Sequence, residues 1–250
     1  MLPNIAFLSF VVIAASLGQV GTGDDKEARA VVDKAIRAMG GKEKLVAIRA
    51  ATWKGKGKFH GFGLGVDFQG VFATHGVDKG RTEMTFDFMG RKVVMIAVLN
   101  GDKGWVKSND TVVELDKKTI DTQKEHAYFI ELAALTPLAR NEKVLKLSAL
   151  VDAKVESADA FVVKVSRKNV PDVHLFFDKK TNLPIKAEFK SLIDKKEELF
   201  EIRLDDYKEV KGVKVAMKVV LKHNGKLFQE TEISDFAFVD RLEEKSLEKP

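Results

Sequence analysis

The sequence predicts an α+β protein, mainly antiparallel β, with one large curved sheet and helices over its concave side. Three observations carry this. Runs of alternating apolar and polar residues recur from Trp53 to Phe238, the pattern of strands with one wet and one dry face. Two stretches have helical spacing instead, one ahead of the first alternating run and one in mid-chain. No glycine-rich linker, composition shift or internal repeat divides residues 24–250, so the ten or more strands form one domain, and an open sheet of about that size curls.

The first element lies outside this domain. Residues 1–23 contain no Asp, Glu, Lys or Arg, and Ile5–Ala15 is a nearly unbroken apolar run followed by small residues. That run is short for a bilayer span, which needs about 20 apolar residues. It reads as an export signal, with Ser16-Leu17-Gly18 or Gly21-Thr22-Gly23 as cleavage sites. The expected destination is the periplasm, with no stable transmembrane span after cleavage. An uncleaved anchor is the alternative, because the segment before the apolar run lacks Lys and Arg.

The first helix is expected to start at Asp24, with Glu27 completing a capping box. Ala28, Val31, Val32, Ala35, Ile36 and Met39 then make one apolar stripe, and Gly40-Gly41 ends it. In Trp53–His60 the even positions are Lys54, Lys56, Lys58 and His60, opposite Trp53, Gly55, Gly57 and Phe59. Leu64, Val66, Phe68 and Phe72 alternate likewise, as do Thr82, Met84, Phe86 and Phe88. Val93–Leu99 is apolar on both faces and is expected to be a central strand. Thr122 and Glu125 predict the start of the second helix, which runs to a stop near Pro137. Residues 139–158 have no single period. Alternation then returns through Phe161, Val173, Phe177, Phe189, Phe200, Met217 and the hairpin Asn224-Gly225 into a last strand, Lys226–Phe238. The charged stretch 239–250 is expected to be loose.

Composition excludes several kinds of chemistry. With no Cys there are no disulfides, thiolate zinc sites, iron–sulfur clusters or thiol nucleophile. The net charge of +5 comes from 33 Lys and only nine Arg, whereas nucleic-acid readers lean on Arg; no nucleic-acid partner is expected. Gly55-Lys-Gly57-Lys-Phe-His60 fails the dinucleotide fingerprint at its third glycine, and those glycines instead suggest curvature or close backbone approach. His60, His75, His126, His174 and His223 are scattered singly, with no partner at metal-ligand spacing. No metal, cofactor or catalytic residue is assigned. The Lys54, Lys56, Lys58 row fits a solvated strand face, or a greeting for anionic headgroups.

The most suggestive set is apolar. Trp53, Phe59, Phe68, Phe72, Met84, Phe86, Phe88, Met95, Phe177, Phe189, Phe200 and Met217 all fall on dry strand faces. Phe and Met carry no strong polar handle, so a cavity lined by them takes greasy ligands without a fixed hydrogen-bond pattern. These twelve are the expected ligand-binding residues. Plain core packing is the competing explanation for each.

The order of local features resembles a known group. A helix ends Ala38-Met39-Gly40-Gly41, followed by Glu43-Lys44-Leu45 and by Ile48 entering a strand. Later come Asn100-Gly101, Gly104-Trp105, Phe177-Asp178, Asn182-Leu183-Pro184, Asp206-Tyr207, Gly212-Val213 and Ser234-Asp235. Together these are similar to the LolA/LolB-like outer-membrane lipoprotein-sorting proteins of the bacterial envelope, over nearly the whole of residues 24–250. The resemblance implies an unclosed half-barrel lidded by helices, with a cavity for acyl chains. It also implies transport by protein-to-protein handover across the periplasm, without catalysis. It implies an Arg that holds the lid through helix backbone, for which Arg49, Arg81 and Arg91 are the candidates. With no Cys to carry a lipid, the chain resembles the soluble carrier rather than the anchored acceptor. The expected partner is therefore a lipid or acylated lipoprotein. An envelope protein-interaction or sensory domain of the same fold, and a hydrolase with a convergent His and carboxylate, stay open as alternatives.

Overall fold

The computed structural model describes residues 25–61, 63–193 and 196–250. The expected signal segment and the Asp24 cap lie outside them. Helix α1 (Asp25–Ala38) and short helix α2 (Lys42–Ala47) precede six strands: β1 (Ala50–Phe59), β2 (Val66–His75), β3 (Lys79–Phe88), β4 (Arg91–Asn100), β5 (Lys103–Ser108) and β6 (Thr111–Glu114). Helices α3 (Lys117–Ala133) and α4 (Thr136–Ala139) follow. Seven strands complete the sheet: β7 (Lys146–Val155), β8 (Ala158–Arg167), β9 (Val170–Asp178), β10 (Pro184–Ile193), β11 (Lys196–Val210), β12 (Val213–His223) and β13 (Lys226–Val239).

Every strand pairs antiparallel in a single sheet ordered β6-β5-β4-β3-β2-β1-β13-β12-β11-β10-β9-β8-β7. The chain thus makes two meanders whose first and last strands, β1 and β13, pair in the middle. The outer strands β6 and β7 remain unpaired with one another, so the barrel is unclosed. The expected mainly antiparallel α+β half-barrel is the fold found.

The glycines of β1 and β2 make the bend. Gly55 pairs with Gly70, and a Cβ on Gly57 would sit 1.8 Å from the Glu230 carbonyl oxygen. Only a residue without a side chain lets β13 approach so closely. The helices pack against β7–β10. There Ala28, Val32, Ala35, Phe129, Leu132, Val163, Val165, Val173 and Leu175 form the main core. Met39 and Gly40 dock the end of α1 on the β11–β12 turn, where Lys214 N–H donates to the Met39 carbonyl at 2.8 Å.

Four expectations change. Helix α3 starts five residues before Thr122: Asp116 is the N-cap, accepting from the Thr119 N–H at 2.7 Å. Thr122 sits inside the helix and donates from Oγ1 to the Lys118 carbonyl. Pro137 does not stop that helix, which ends at Ala133 (Leu135 is left-handed, φ 64°); it opens α4. Strand β4 is not central but third from an edge. The C-terminal segment lies against the end of its outer face, where Asn100 Nδ2 donates to the Leu247 carbonyl at 3.3 Å. That segment is correspondingly not loose: it forms a 3-10 helix (Glu244–Leu247) and buries Leu242 and Leu247 against Ala50.

Candidate functional site

Strand register places the twelve expected ligand residues on the concave face. Trp53, Phe59, Phe68, Phe72, Met84, Phe86, Phe88 and Met95 are linked across β1–β4 by the pairs Trp53–Phe72, Phe68–Phe86 and Met84–Met95. Phe177, Phe189 and Phe200 share that face in β9–β11, as Met217 does in β12.

The helices divide this face into two parts. Phe177 is fully buried and Phe189 nearly so, under α1 and α3, with Phe200 half-buried beside them. Those three are part of the packed core. On β1–β4 a second cluster forms away from the helix-packed strands. Phe68 and Phe86 are buried at its base, while Phe59, Phe72, Met84, Phe88 and Met95 are half-buried around them. Trp53 lies flat on Phe72, centroids 5.3 Å apart and planes within 6°. The Phe72 ring covers Gly55 and Gly70, in space that Cβ atoms there would occupy. This half-buried aromatic floor is the candidate site.

A continuous line of rings joins the two parts. Phe129 of α3 meets Phe189 at 3.8 Å, and Phe189 meets Phe200 at 5.2 Å. Phe200 meets His223 at 4.6 Å, and His223 meets Phe228 at 6.3 Å. Phe228 meets Phe59 at 5.0 Å, and Phe59 meets Phe86 at 5.4 Å. Simple alternation does not reveal Phe228 or Phe236. A bulge between Leu221 and Lys222 leaves Phe228 without a register partner and turns it toward Phe59. A second bulge between Thr52 and Lys54 brings Phe236 onto Trp53 at 5.9 Å. Bulges re-aim side chains in this way, and no residue type marked these two in advance.

At the edge of the floor Gln229 Nε2 donates to Thr231 Oγ1 at 2.8 Å, while the buried Nε2 of His60, next to Phe59 in the chain, has no hydrogen-bond partner among the described residues. Two scattered histidines converge. His126 of α3 lies 5.1 Å from Phe200 and 5.9 Å from Phe189, and its buried Nε2 has no hydrogen-bond partner among the described residues. Burial, and then the neighbouring His223, hold the His126 imidazole below its ordinary range. The Nε2 of His223 is 3.0 Å from Glu198 Oε2, within ion-pair range but off-line for a hydrogen bond. Among the described residues no group of three or more His, Asp or Glu side chains is placed to hold a metal ion.

The opposite face is charged. Lys54, Lys56 and Lys58 pair with Asp235, Glu232 and Asp67 at 3.0, 3.6 and 2.9 Å, all largely exposed. A hollow of about 530 Å³ lies on this outer face, walled by such pairs and by Lys92 and Lys218. Its side chains are mostly charged or polar, with Phe68 the one aromatic residue in the lining. Of the candidate lid arginines, Arg81 pairs with Glu83 at 3.1 Å, and Arg49 and Arg91 are exposed. Arg140, which is not among those candidates, donates to the Ile48 carbonyl at 3.3 Å beside the helices.

An unclosed antiparallel half-barrel, with helices over one part of its concavity and an aromatic floor in the other, defines the class. The chain has the fold of the LolA superfamily. It is similar to a LolA superfamily protein from Nitrosomonas europaea (TM-score 0.52, 13% identity, covering 89% of this chain and 97% of that one). It is also similar to a Vibrio parahaemolyticus domain described as an outer membrane lipoprotein-sorting protein (TM-score 0.53, 13% identity, 90% and 98% covered). A DUF1329 family protein from Desulfovibrio piger is alike to the same degree (TM-score 0.53, 10% identity, 88% and 97% covered). No family model and no curated protein sequence matches the chain.

Proposed function

We propose that the protein is a soluble periplasmic carrier or binding protein for lipids or lipoprotein acyl chains. It acts by binding and release rather than by catalysis. The observation that carries this is the half-buried floor of Phe59, Phe72, Met84, Phe88, Met95 and Trp53, away from the helix-packed half of the same concave face. An acyl chain laid there is stabilised by roughly 0.8 kcal/mol per buried methylene. The rings impose no hydrogen-bond pattern, which suits chains of differing length. Export rests on the apolar, uncharged residues 1–23. The lipoprotein-sorting description of the Vibrio protein supports the cargo class.

Native mass spectrometry of protein purified from the bacterial envelope tests this. The expected spectrum carries adducts of lipid mass that a fluorescent fatty acid displaces. A ligand-free protein that also fails to bind the fatty acid would contradict it.

A further inference from the structure

We propose that helix α3 is a pH-sensitive latch. Protonation of His126, whose ring packs on Phe189 and Phe200, releases the helix from the sheet and opens the junction between the packed core and the aromatic floor. The device goes beyond the carrier function and does not depend on what the cargo is.

Three contacts hold the middle of α3 to the concave face. Phe129 stacks on Phe189, His126 packs against Phe189 and Phe200, and Glu125 Oε1 accepts from Ser191 Oγ at 3.2 Å. His126 belongs to the helix and His223 to the sheet, and the Phe200 ring touches both. Neutral imidazoles suit this stack. A charged one there loses water and requires a partner in return.

The neighbours cannot supply that partner to His126. Glu198 of β11 faces His223 and also accepts from Asn224 Nδ2, so its charge is committed to the sheet side. Glu125, next to His126 on α3, is turned to Ser191, and Tyr128, further along, lies under Arg167 at 5.1 Å. The remaining titratable groups of β9 and β10, Asp172, His174, Asp178, Lys186, Glu188 and Lys190, alternate onto the outer face, where Lys186 pairs with Glu188 and Glu201. A cation on His126 thus has His223 across Phe200, and its buried Nε2 gains a polar partner when the helix moves out.

The ends of α3 permit such a movement without unravelling it. Asp116 caps the start, and the left-handed Leu135 (φ 64°) separates its end from α4. Because burial disfavours the His126 cation in the docked state, docking is strongest above the ordinary imidazole range and weakens as pH falls below about 6.5.

Hydrogen exchange on the intact protein, corrected for intrinsic rates, tests the latch at about pH 7.5 and about pH 5. The expected result is a roughly tenfold or larger fall in protection across α3 on acidification, with β9 and β10 unchanged. His126→Phe, which keeps a ring in the stack, should abolish the fall. Should that variant not fold, an NMR titration of the wild-type imidazoles decides: His126 should titrate together with loss of its contacts to Phe189 and Phe200. Equal protection of α3 at both pH values, a fall that persists in His126→Phe, or a His126 that titrates while α3 stays docked would overturn the proposal.

Discussion

Phe129 of α3 lies face to face with Phe189 of β10, ring centroids 3.8 Å apart and planes within 23°. Phe129 is fully buried and Phe189 nearly so. This contact fastens the lid helix to the sheet, and it removes Phe189 from any open cavity. Truncating Phe129 to Ala leaves a void between two layers that cannot close on each other, so a loss of about 3–5 kcal/mol is expected. Urea denaturation measures it, and a loss below about 1 kcal/mol would mean that the helix is not packed as described.

The floor and the covered core should respond differently to substitution. Met84→Asp places a charge on the half-buried floor, where it opposes an apolar chain. A fatty-acid probe should then bind at least about tenfold more weakly, the cost of burying a charge beside it. Phe177→Ala, in the helix-covered part, should lower the melting temperature with a much smaller effect on affinity. Fluorescence titration and thermal melts on the two variants separate the roles.

Gly57 is the tightest point of the bend. A Cβ would stand 1.8 Å from the Glu230 carbonyl oxygen, a backbone atom that moves only with its strand. Gly57→Ala is therefore expected to cost at least about 2 kcal/mol, beyond what overpacking by one methyl group costs in a yielding site. Gly90→Ala tests the other extreme. A Cβ there meets nothing within 4 Å, though φ is 88°, so only backbone strain of about 1 kcal/mol applies. Chemical denaturation of both variants gives the comparison.

Glu131 supplies a pH test away from the histidines. Burial raises its carboxyl above the usual range, against the lowering effect of Arg140, 3.8 Å away. A carboxyl raised on folding contributes stability at low pH, and this is lost as pH rises through its folded value. Glu131→Gln should accordingly be as stable as wild type or more so at neutral pH, with the advantage vanishing on acidification below the ordinary glutamate range. A variant destabilised at neutral pH would show that the Arg140 pair outweighs burial.

Much of this was legible in the residue order, because period-two alternation reports a half-buried antiparallel strand directly. The register Trp53–Phe72, Phe68–Phe86 and Met84–Met95 realises that alternation on one face. Close backbone approach at Gly57 was legible as well, since glycine in a strand has few other uses. What escaped depends on distant partners. The pairing of β1 with β13 joins segments from the two ends of the domain. The docking of Leu242 and Leu247 on Ala50, Ala73 and Val239 brings the C-terminal segment back onto the outer face and against the end of β4. Phe228 and Phe236 reach the concave side through bulges that break the alternation. The convergence of His126 with His223 requires the lid to be seated. Above all, alternation marks a dry face but does not say which part of it the helices fill.

The central claim is that an apolar chain rests on the β1–β4 floor. Photo-crosslinking with a diazirine-bearing fatty acid, followed by mapping of the labelled peptides, tests it most directly. Labels should concentrate on β1–β4, at Trp53, Phe72, Met84 and Met95. Labels confined to the outer charged face or to the strands beneath α1, or no specific labelling at all, would contradict it.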